Sequence, residues 1–371
     1  MSYLQHITSP TLLIDEKICR ANLQRMAQKA AGNGMELIPH FKTGQSKAIG
    51  AWAKEYGIKE ITVSSIKMAA YFCGDSWETM HIAFPFNPLQ IRKLNELSQN
   101  QKISIQLVNS EVTQLLAKKL SSTVGFFIEI DAGYGRTGVA VSDFGKIEEI
   151  LRISQTSEHL QFRGFYIHAG HSYYAKDVAA IQEQNIAALN MLKDKYSTEF
   201  PNLVTRTGDT PTCSMMEDFG GIDEMGPGNF VFYDLTQAGI GSCSKTDIAV
   251  ALAVPVVDIN PEKRRILIHG GGVHLAKDVL IEPNGEKNYG EVVLLSENGW
   301  EIPESRSFVK SISQEHGIIQ ASKELLQKTQ VGDLLGILPV HSCMTADCMK
   351  AYLSLNGEWI DHAEGLVTFN L

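Results

Sequence analysis

The sequence predicts an α/β fold, in which a (β/α)8 TIM-like barrel is combined with a mostly antiparallel C-terminal β-domain. Apolar runs of strand length alternate with helical patterns over about 230 residues, which is typical of a parallel sheet and close to the roughly 250 residues of a closed barrel. From about Ser244 onward, short β-like runs separated by turn residues replace this alternation. The predicted domains are therefore residues 16–243 for the barrel, and residues 1–15 with 244–371 for the β-domain.

Each predicted element has its own pattern. Apolar runs predict eight barrel strands at 36–39, 60–64, 80–84, 103–108, 124–131, 162–168, 204–208 and 228–234. Apolar residues at helical spacing predict helices at 17–31, 44–56, 65–73, 88–99, 110–120, 141–154 and 175–196. The β-domain is expected to contain strands at 248–258, 265–269, 291–295, 309–314 and 334–338, and to recruit the first strand at 11–14. An open doubly wound sheet is the alternative to the barrel, but no GxGxxG motif follows the first strand.

Composition limits the classes of partner. The net charge of -9 argues against nucleic acid or an anionic membrane as a partner, because both would be repelled. The start of the chain lacks a basic segment followed by an apolar one, and no apolar run is long enough to span a bilayer. The six cysteines are scattered and form no CxxC pair, as expected of reduced thiols. We therefore expect a cytoplasmic protein with a small-molecule partner.

The motif Pro39-His40-Phe41-Lys42-Thr43 is the first candidate for chemistry. Lys42 follows the predicted strand 36–39, at the strand end where α/β barrels carry their active sites. An amine in such a pocket loses solvation, which disfavours its charged form and makes it a nucleophile and a base. Lys42 thus meets the requirements of a Schiff-base lysine, with a solvated loop lysine as the alternative.

Two further predicted strands end in polar side chains. The strand 124–131 runs into a glycine-rich loop that carries Arg136, whose planar guanidinium offers a fixed set of donors. The strand 162–168 ends in His168, with His171 and Tyr173 close behind it. A plain turn with a surface arginine and a pair of ordinary histidines are the alternatives.

Two late loops are rich in glycine and small hydroxyl residues. They are Thr207-Gly208-Asp209-Thr210-Pro211-Thr212 and Gly226-Pro227-Gly228-Asn229. Such residues free backbone N–H groups to face a phosphate, and barrels often bind phosphate with their late loops. Ordinary turns are the alternative for each loop alone.

A histidine and a cysteine two residues apart are the candidate metal ligands. On an extended segment the side chains of His341 and Cys343 would lie on the same face, and imidazole nitrogen with thiolate sulfur suits zinc. The alternative is a buried cysteine that happens to follow a histidine. The segment His269-Gly270-Gly271-Gly272-Val273-His274 is also rich in histidine and glycine, and the sequence assigns it no role.

Taken in order, these motifs resemble the D-threonine aldolase/D-serine dehydratase branch of the alanine-racemase-like enzymes, which use pyridoxal 5'-phosphate and have fold type III. The resemblance runs from about Thr11 to the carboxyl end and rests on six ordered motifs. It implies that Lys42 is the Schiff-base lysine and that His168 lies against the cofactor ring. It places Arg136 and Tyr173 near the ring as well. It implies a phosphate cradle formed by Gly208, Asp209, Thr210, Gly228 and Asn229, together with Tyr233.

The same resemblance implies a divalent metal held by His341 and Cys343, with Zn²⁺ expected and Mn²⁺ or Mg²⁺ as alternatives. The implied catalytic residues are Lys42, His168 and Tyr173. The implied reaction is a lyase reaction on a D-3-hydroxy amino acid, by dehydration to a keto acid and ammonia or by retro-aldol cleavage to glycine and an aldehyde. His-x-Cys favours dehydration. Racemisation and a non-catalytic cofactor carrier are the further alternatives, and a homodimer is expected.

Overall fold

The computed structural model describes residues 3–365, so residues 1–2 and 366–371 of the predicted β-domain lie outside the described range. The described chain divides into two compact units. The barrel unit consists of Leu23–Lys42 and Gly50–Phe230. The β unit consists of the residues up to Asn22, Thr43–Ile49 and the chain from Val231 onward. The first elements of the chain are strand β1 (Thr11–Ile14) and helix α1 (Glu16–Gly32).

The barrel unit is built on a ring of parallel strands. These are β2 (Glu36–Leu37), β3 (Glu60–Val63), β4 (Thr79–Pro85), β5 (Ile103–Leu107), β6 (Val124–Asp131) with its short neighbour β7 (Val139–Ala140), β8 (Leu160–Ile167), β9 (Val204–Thr207) and β10 (Glu224–Met225). The hydrogen-bonded order is β2-β10-β9-β8-β6-β5-β4-β3, and a parallel bridge between His40 and Thr62 joins its two ends. The predicted barrel is confirmed.

Helices connect consecutive barrel strands. The connecting helices are α2 (Lys47–Glu55), α3 (Ile66–Phe72), α4 (Ile91–Ser98), α5 (Ser110–Lys119), α6 (Phe144–Ser154), α7 (Val178–Tyr196) and α8 (Thr210–Met215), whereas α9 (Leu235–Ile240) comes after the last barrel strand and belongs to the β unit. Five of the connecting helices begin at a side-chain cap, in which Ser, Asn or Asp accepts a hydrogen bond from the backbone N–H three residues on; the caps are Ser65, Asn109, Asp143, Asp177 and Asp209. Within residues 3–365, no helix has both the length and the apolar character that crossing a bilayer requires.

The eighth barrel strand differs from the prediction. It is β10, whereas the predicted strand at 228–234 is wrong, because Asn229–Val231 form a 3-10 turn. β10 pairs with β9 at Glu224 and Arg206, and Arg206 Nε lies 2.6 Å from Glu224 Oε2. Arg206 is fully buried. A strand that contributes a buried ion pair to the barrel interior lacks the apolar pattern by which buried strands are recognised.

The β unit contains the predicted antiparallel sheet. The strands of the β unit are β11 (Val250–Asn260), β12 (Arg265–His269), β13 (Leu280–Ile281), β14 (Lys287–Asn288), β15 (Gly290–Ser296), β16 (Gly299–Glu301), β17 (Phe308–Ile312), β18 (His316–Gln320), β19 (Leu334–Pro339), β20 (Tyr352–Ser354) and β21 (Trp359–Ile360). Of these, β13 and β14 form a separate two-stranded sheet. Its short helices are α10 (Gly272–Leu275), α11 (Lys323–Lys328) and α12 (Ser342–Met349). The expected recruitment of β1 is confirmed, since β1 pairs antiparallel with β11 and parallel with β20.

Gly164 permits the close approach of β8 to β9 and gives a prediction about stability. Its φ is +149°, and an added Cβ would lie 1.8 Å from the Val204 carbonyl oxygen. We expect Gly164→Ala to lower the free energy of unfolding by roughly 3 kcal/mol, because the two strands must separate. Gly34→Ala is the matched control: its φ is +68°, but nothing lies within 4 Å of the added Cβ. It should cost only about 1 kcal/mol. Equal losses in urea unfolding would contradict this role of Gly164.

Candidate active site

A cavity of about 410 Å³ opens at the carboxyl ends of the barrel strands, within the size range of small-molecule sites. It brings together three residues that the sequence predicted separately, namely Lys42, Arg136 and His168. The other lining residues are His40, Ser64, Ala83, Phe84, Pro85, Gln106, Thr137 and Tyr166.

Lys42 lies in the turn that follows β2 and is half-buried. Its backbone N–H donates to Nδ1 of His40 at 3.3 Å, so the neutral His40 ring carries its proton on Nε2. Burial, followed by the nearby charge of Lys42, holds the pKa of His40 well below its usual range. His40 is therefore uncharged beside the lysine.

His168 is the second uncharged imidazole near Lys42. Its Nδ1–H donates to the carbonyl oxygen of Gly208, which leaves Nε2 unprotonated. Burial lowers the pKa of His168 to about 3, assisted by the charge of Lys42 and opposed by the hydrogen bond to Gly208. The ring can accept a proton or a hydrogen bond at Nε2 but carries no charge at neutral pH.

The loop after β6 presents Arg136 together with Tyr134, a residue that the sequence reading missed. The Arg136 guanidinium lies 5.0 Å from the centroid of the Tyr134 ring. That ring stacks on His171, with centroids 5.7 Å apart, and meets His168 edge-on at 6.2 Å. An added Cβ on Gly170 would lie 2.5 Å from Tyr134 Cε1, so glycine makes room for the ring. Tyr134 lies between Gly133 and Gly135, and an aromatic side chain between two loop glycines is the signal by which the sequence could have identified it.

The late loops provide the predicted phosphate residues in different ways. The Asp209 carboxylate accepts from Ser172 Oγ at 2.7 Å and from the backbone and hydroxyl of Thr212, so it caps α8. Thr210 Oγ1 is buried and has no hydrogen-bond partner among the described residues. An added Cβ on Gly208 would lie 2.8 Å from the Gly226 carbonyl oxygen, so the two loops touch there. Asn229 is also buried, at the start of its 3-10 turn.

The two predicted tyrosines are not among the residues that line the cavity. Tyr173 is half-buried in the 3-10 helix Gly170–Tyr174, and the residues that line the cavity do not include it. Tyr233 is buried in the β unit, with a φ of 50°. A left-handed conformation is uncommon outside glycine and is often found at functional sites.

The metal pair lies at the start of a helix rather than on a strand. β19 ends at Pro339, His341 is the N-cap residue of α12, and Cys343 falls in its first turn. The predicted extended segment is therefore wrong, although the two side chains still meet through a hydrogen bond. Both residues belong to the β unit.

Each candidate metal ligand has a second partner that the sequence reading missed. Nδ1 of His341 lies 3.3 Å from Oδ1 of Asp278, and Sγ of Cys343 lies 3.1 Å from Oγ1 of Thr43. Burial lowers the pKa of His341, but the hydrogen bonds to Asp278 and Cys343 outweigh it and raise the pKa to about 11. A carboxylate behind a ligating histidine is the usual arrangement in metal sites. Imidazole and thiolate together fit a zinc ion.

The histidine- and glycine-rich segment forms a separate cluster in the β unit. Ligand-type atoms of His269, His274 and Glu315 lie within 4.8 Å of one another. However, the backbone N–H of Gly271 donates to Nδ1 of His274 at 3.2 Å, which leaves the proton of the neutral ring on Nε2, the nitrogen that faces Glu315. A ligating nitrogen must be unprotonated. We therefore interpret this cluster as polar contacts of two histidines with one carboxylate rather than as a metal site.

The residues around the cavity fit pyridoxal 5'-phosphate. Lys42 supplies an amine for its aldehyde, and the uncharged His168 suits the face of a ring. The buried Thr210 hydroxyl, which has no described partner, suits a phosphate oxygen. Gly208 and Gly226 are in close contact and have no side chains, so backbone groups of the two late loops are available to a phosphate there.

Comparison with known protein families identifies the chain. The family described as "Alanine racemase, N-terminal domain" matches residues 14–235. The chain belongs to this family. A second family description, "Putative serine dehydratase domain", matches residues 249–355. The C-terminal part of the chain therefore matches a separate family description from that of the barrel.

Curated and solved relatives resemble the chain over almost its whole length. A D-serine dehydratase from Dictyostelium discoideum is 24% identical and covers 96% of this chain and 95% of its own. A D-threo-3-hydroxyaspartate dehydratase from Delftia sp. (strain HT23) is 26% identical and covers 94% of each. A solved cysteine-to-alanine mutant of D-threo-3-hydroxyaspartate dehydratase in the metal-free form superposes with a TM-score of 0.89 at 24% identity, covering 99% of this chain and 100% of that one.

Proposed function

We propose that this protein is a pyridoxal 5'-phosphate- and divalent-metal-dependent lyase. Its specific reaction is dehydration of a D-3-hydroxy amino acid of the D-serine type to a keto acid and ammonia. The observation that carries the proposal is the presence in one chain of Lys42 among uncharged imidazoles and of His341 with Cys343. A racemase needs only the first of these. The lyase class is supported by relatives named dehydratases, which match 96% and 94% of this chain.

The cofactor would be held by residues of the cavity and of the late loops. Lys42 would bind its aldehyde, and His168 would lie against its ring with Arg136 near it. Gly208, Thr210, Gly228 and Asn229 would surround the phosphate. When bound, the cofactor supplies an electron sink for the negative charge that develops at the substrate's Cα.

Side chains of the cavity would move the substrate's proton and orient its polar groups. Once the substrate's amino group has displaced Lys42 from the aldehyde, its free amine would take the proton from the substrate's Cα, and neither His40 nor His168 adds a competing positive charge beside it. His168 can accept a hydrogen bond at Nε2, which fixes the orientation of a bound polar group. Arg136 or Tyr173 would contact the ring nitrogen and would donate a hydrogen bond without giving up a proton, so departure of the 3-hydroxyl would need further help.

His341 and Cys343 would provide that help by holding the metal. A divalent ion held by this pair would supply a Lewis acid for the substrate's 3-hydroxyl. Asp278 contacts Nδ1 of His341 and so fixes the orientation of the ring, which leaves Nε2 as the nitrogen that would bind the metal. We place the pair in a β-domain at 1–15 and 244–371 that accompanies the 16–243 barrel.

The role of Lys42 predicts a change in absorbance. Lys42→Ala should lose the visible band that the cofactor gives when it is joined to a lysine, because no other lysine lines the cavity among the described residues. Spectra of the purified variant, after incubation with pyridoxal 5'-phosphate, measure this. Lys47→Ala, at an exposed position at the start of α2, is the control and should keep the band. A persisting band in Lys42→Ala would mean that another lysine carries the cofactor.

The proposed metal pair predicts that turnover can be lost while the cofactor stays bound. Cys343→Ala should keep the cofactor band, yet lose about 100-fold or more of its turnover, because a Lewis acid contributes several kcal/mol to such a step. Cys348→Ala, in the same helix, is the matched control and should retain activity and chelator sensitivity.

The assay uses D-serine, D-threonine and D-3-hydroxyaspartate, and measures keto acid against glycine. Glycine as the main product would show that the enzyme catalyses retro-aldol cleavage rather than dehydration. Full activity of Cys343→Ala on D-serine would contradict the metal role and favour a metal-free reaction.

We also propose a cytoplasmic homodimer. Light scattering of the holoenzyme should give twice the 40.9 kDa mass of the chain. A single-chain mass at micromolar concentration would contradict it.

A further inference from the structure

The four residues after Lys42 are held by the C-terminal part of the β unit. Thr43 Oγ1 lies 3.1 Å from Cys343 Sγ, Tyr352 Oη donates to Gly44 O at 2.7 Å, Gln45 Nε2 donates to Asp347 Oδ1 at 3.3 Å, and Ser46 Oγ donates to Asp361 Oδ1 at 2.8 Å. All four residues are buried. Gln45 has a φ of 42°, a conformation that surrounding contacts must maintain. Loop 43–46 is therefore fixed by a partner at every residue.

The contact between Thr43 and Cys343 has a defined direction once the sulfur binds a metal. Thr43 is fully buried, so its hydroxyl cannot turn to solvent. A ligating cysteine is a thiolate, which accepts hydrogen bonds and donates none. Thr43 must then be the donor. Hydrogen bonds to a ligating atom orient it and tune its affinity for the metal.

We propose that Thr43 is a positioning residue that couples metal binding at Cys343 to the placement of Lys42. The peptide bond joins the two residues directly, and consecutive Cα atoms are only about 3.8 Å apart. Because every residue of loop 43–46 has a hydrogen-bond partner in the β unit, we expect an adjustment of Thr43 on metal binding to be transmitted to Lys42 rather than absorbed by the loop. Coupling of this kind is reciprocal, so the cofactor on Lys42 changes the affinity for the metal by the same factor. The inference rests on the proposed function.

The test uses two substitutions of Thr43 in the holoenzyme. Thr43→Val keeps the shape of the side chain and removes the hydroxyl, whereas Thr43→Ser keeps the hydroxyl. Zn²⁺ is titrated against a competing chelator to measure affinity, and the visible absorbance of the bound cofactor is followed in the same titration. We expect Thr43→Val to bind Zn²⁺ about 10- to 100-fold more weakly and to lose the absorbance change at saturating Zn²⁺. Thr43→Ser should behave as the wild type in both measurements.

Asp278→Asn is the matched control, because it acts on the other metal ligand. It removes charge from the carboxylate beside His341 and should also weaken Zn²⁺ binding. It leaves Thr43 and Cys343 in place, however, so its absorbance change should return once Zn²⁺ saturates the site. Loss of affinity alone therefore does not reproduce the effect of Thr43→Val.

Two results would overturn the coupling. One is a Thr43→Val variant whose Zn²⁺ affinity stays within about twofold of the wild type or whose absorbance responds normally. The other is a wild-type holoenzyme that binds both ligands without any change in absorbance. Failure of the proposed function is distinct, since the wild type itself would then lack the cofactor band or bind no Zn²⁺. Near-UV circular dichroism of each variant verifies the fold.

Discussion

Burial of two imidazoles is the physical constraint on which the candidate site depends. His40 and His168 lie in the wall of the cavity with Lys42, and desolvation disfavours the charged form of each ring more than any other influence on it. The positive charge of Lys42 acts in the same direction on both rings. The amine is thus placed among hydrogen-bonding groups that do not compete for its proton. Hydrogen bonds to Lys42 N and Gly208 O fix the two rings in opposite tautomers.

Burial of charged side chains also limits which strands and ion pairs can be predicted from the sequence. The motifs around Lys42, Arg136 and His168 were predictable, because glycine and polar residues after apolar strands mark the active end of a barrel. The strand β10 was not, since it contributes Glu224 to a buried ion pair with Arg206 and has no apolar pattern. Burial also raises the pKa of Glu129, inside the barrel on β6, to about 7. A charged residue in a sequence gives no sign that its partner lies on another strand.

The start of α2 was misplaced because a distant residue supplies its cap. Helix α2 begins at Lys47 rather than at the predicted residue 44, because the Asp361 carboxylate accepts from the N–H groups of Lys47 and Ala48 at 2.7 and 3.1 Å. Helix α12, which the sequence did not predict, has a distant cap as well: Asp234 accepts from the N–H of Ser342 at 3.0 Å, across 108 residues of sequence. Local caps such as Ser65 can be read from neighbouring residues. These two become visible only when the fold brings the carboxylate to the helix.

The second of these caps explains why His341 and Cys343 meet although no strand holds them. His341 keeps an extended conformation, with φ −136° and ψ 101°, because the N-cap residue precedes the helical turn. Cys343 lies inside that first turn, so the change from extended to helical backbone brings the two side chains to one place. Two residues apart within a helix would face different directions. A helix start also has the positive end of the backbone dipole near Cys343, which favours a negatively charged sulfur in a way that a strand would not.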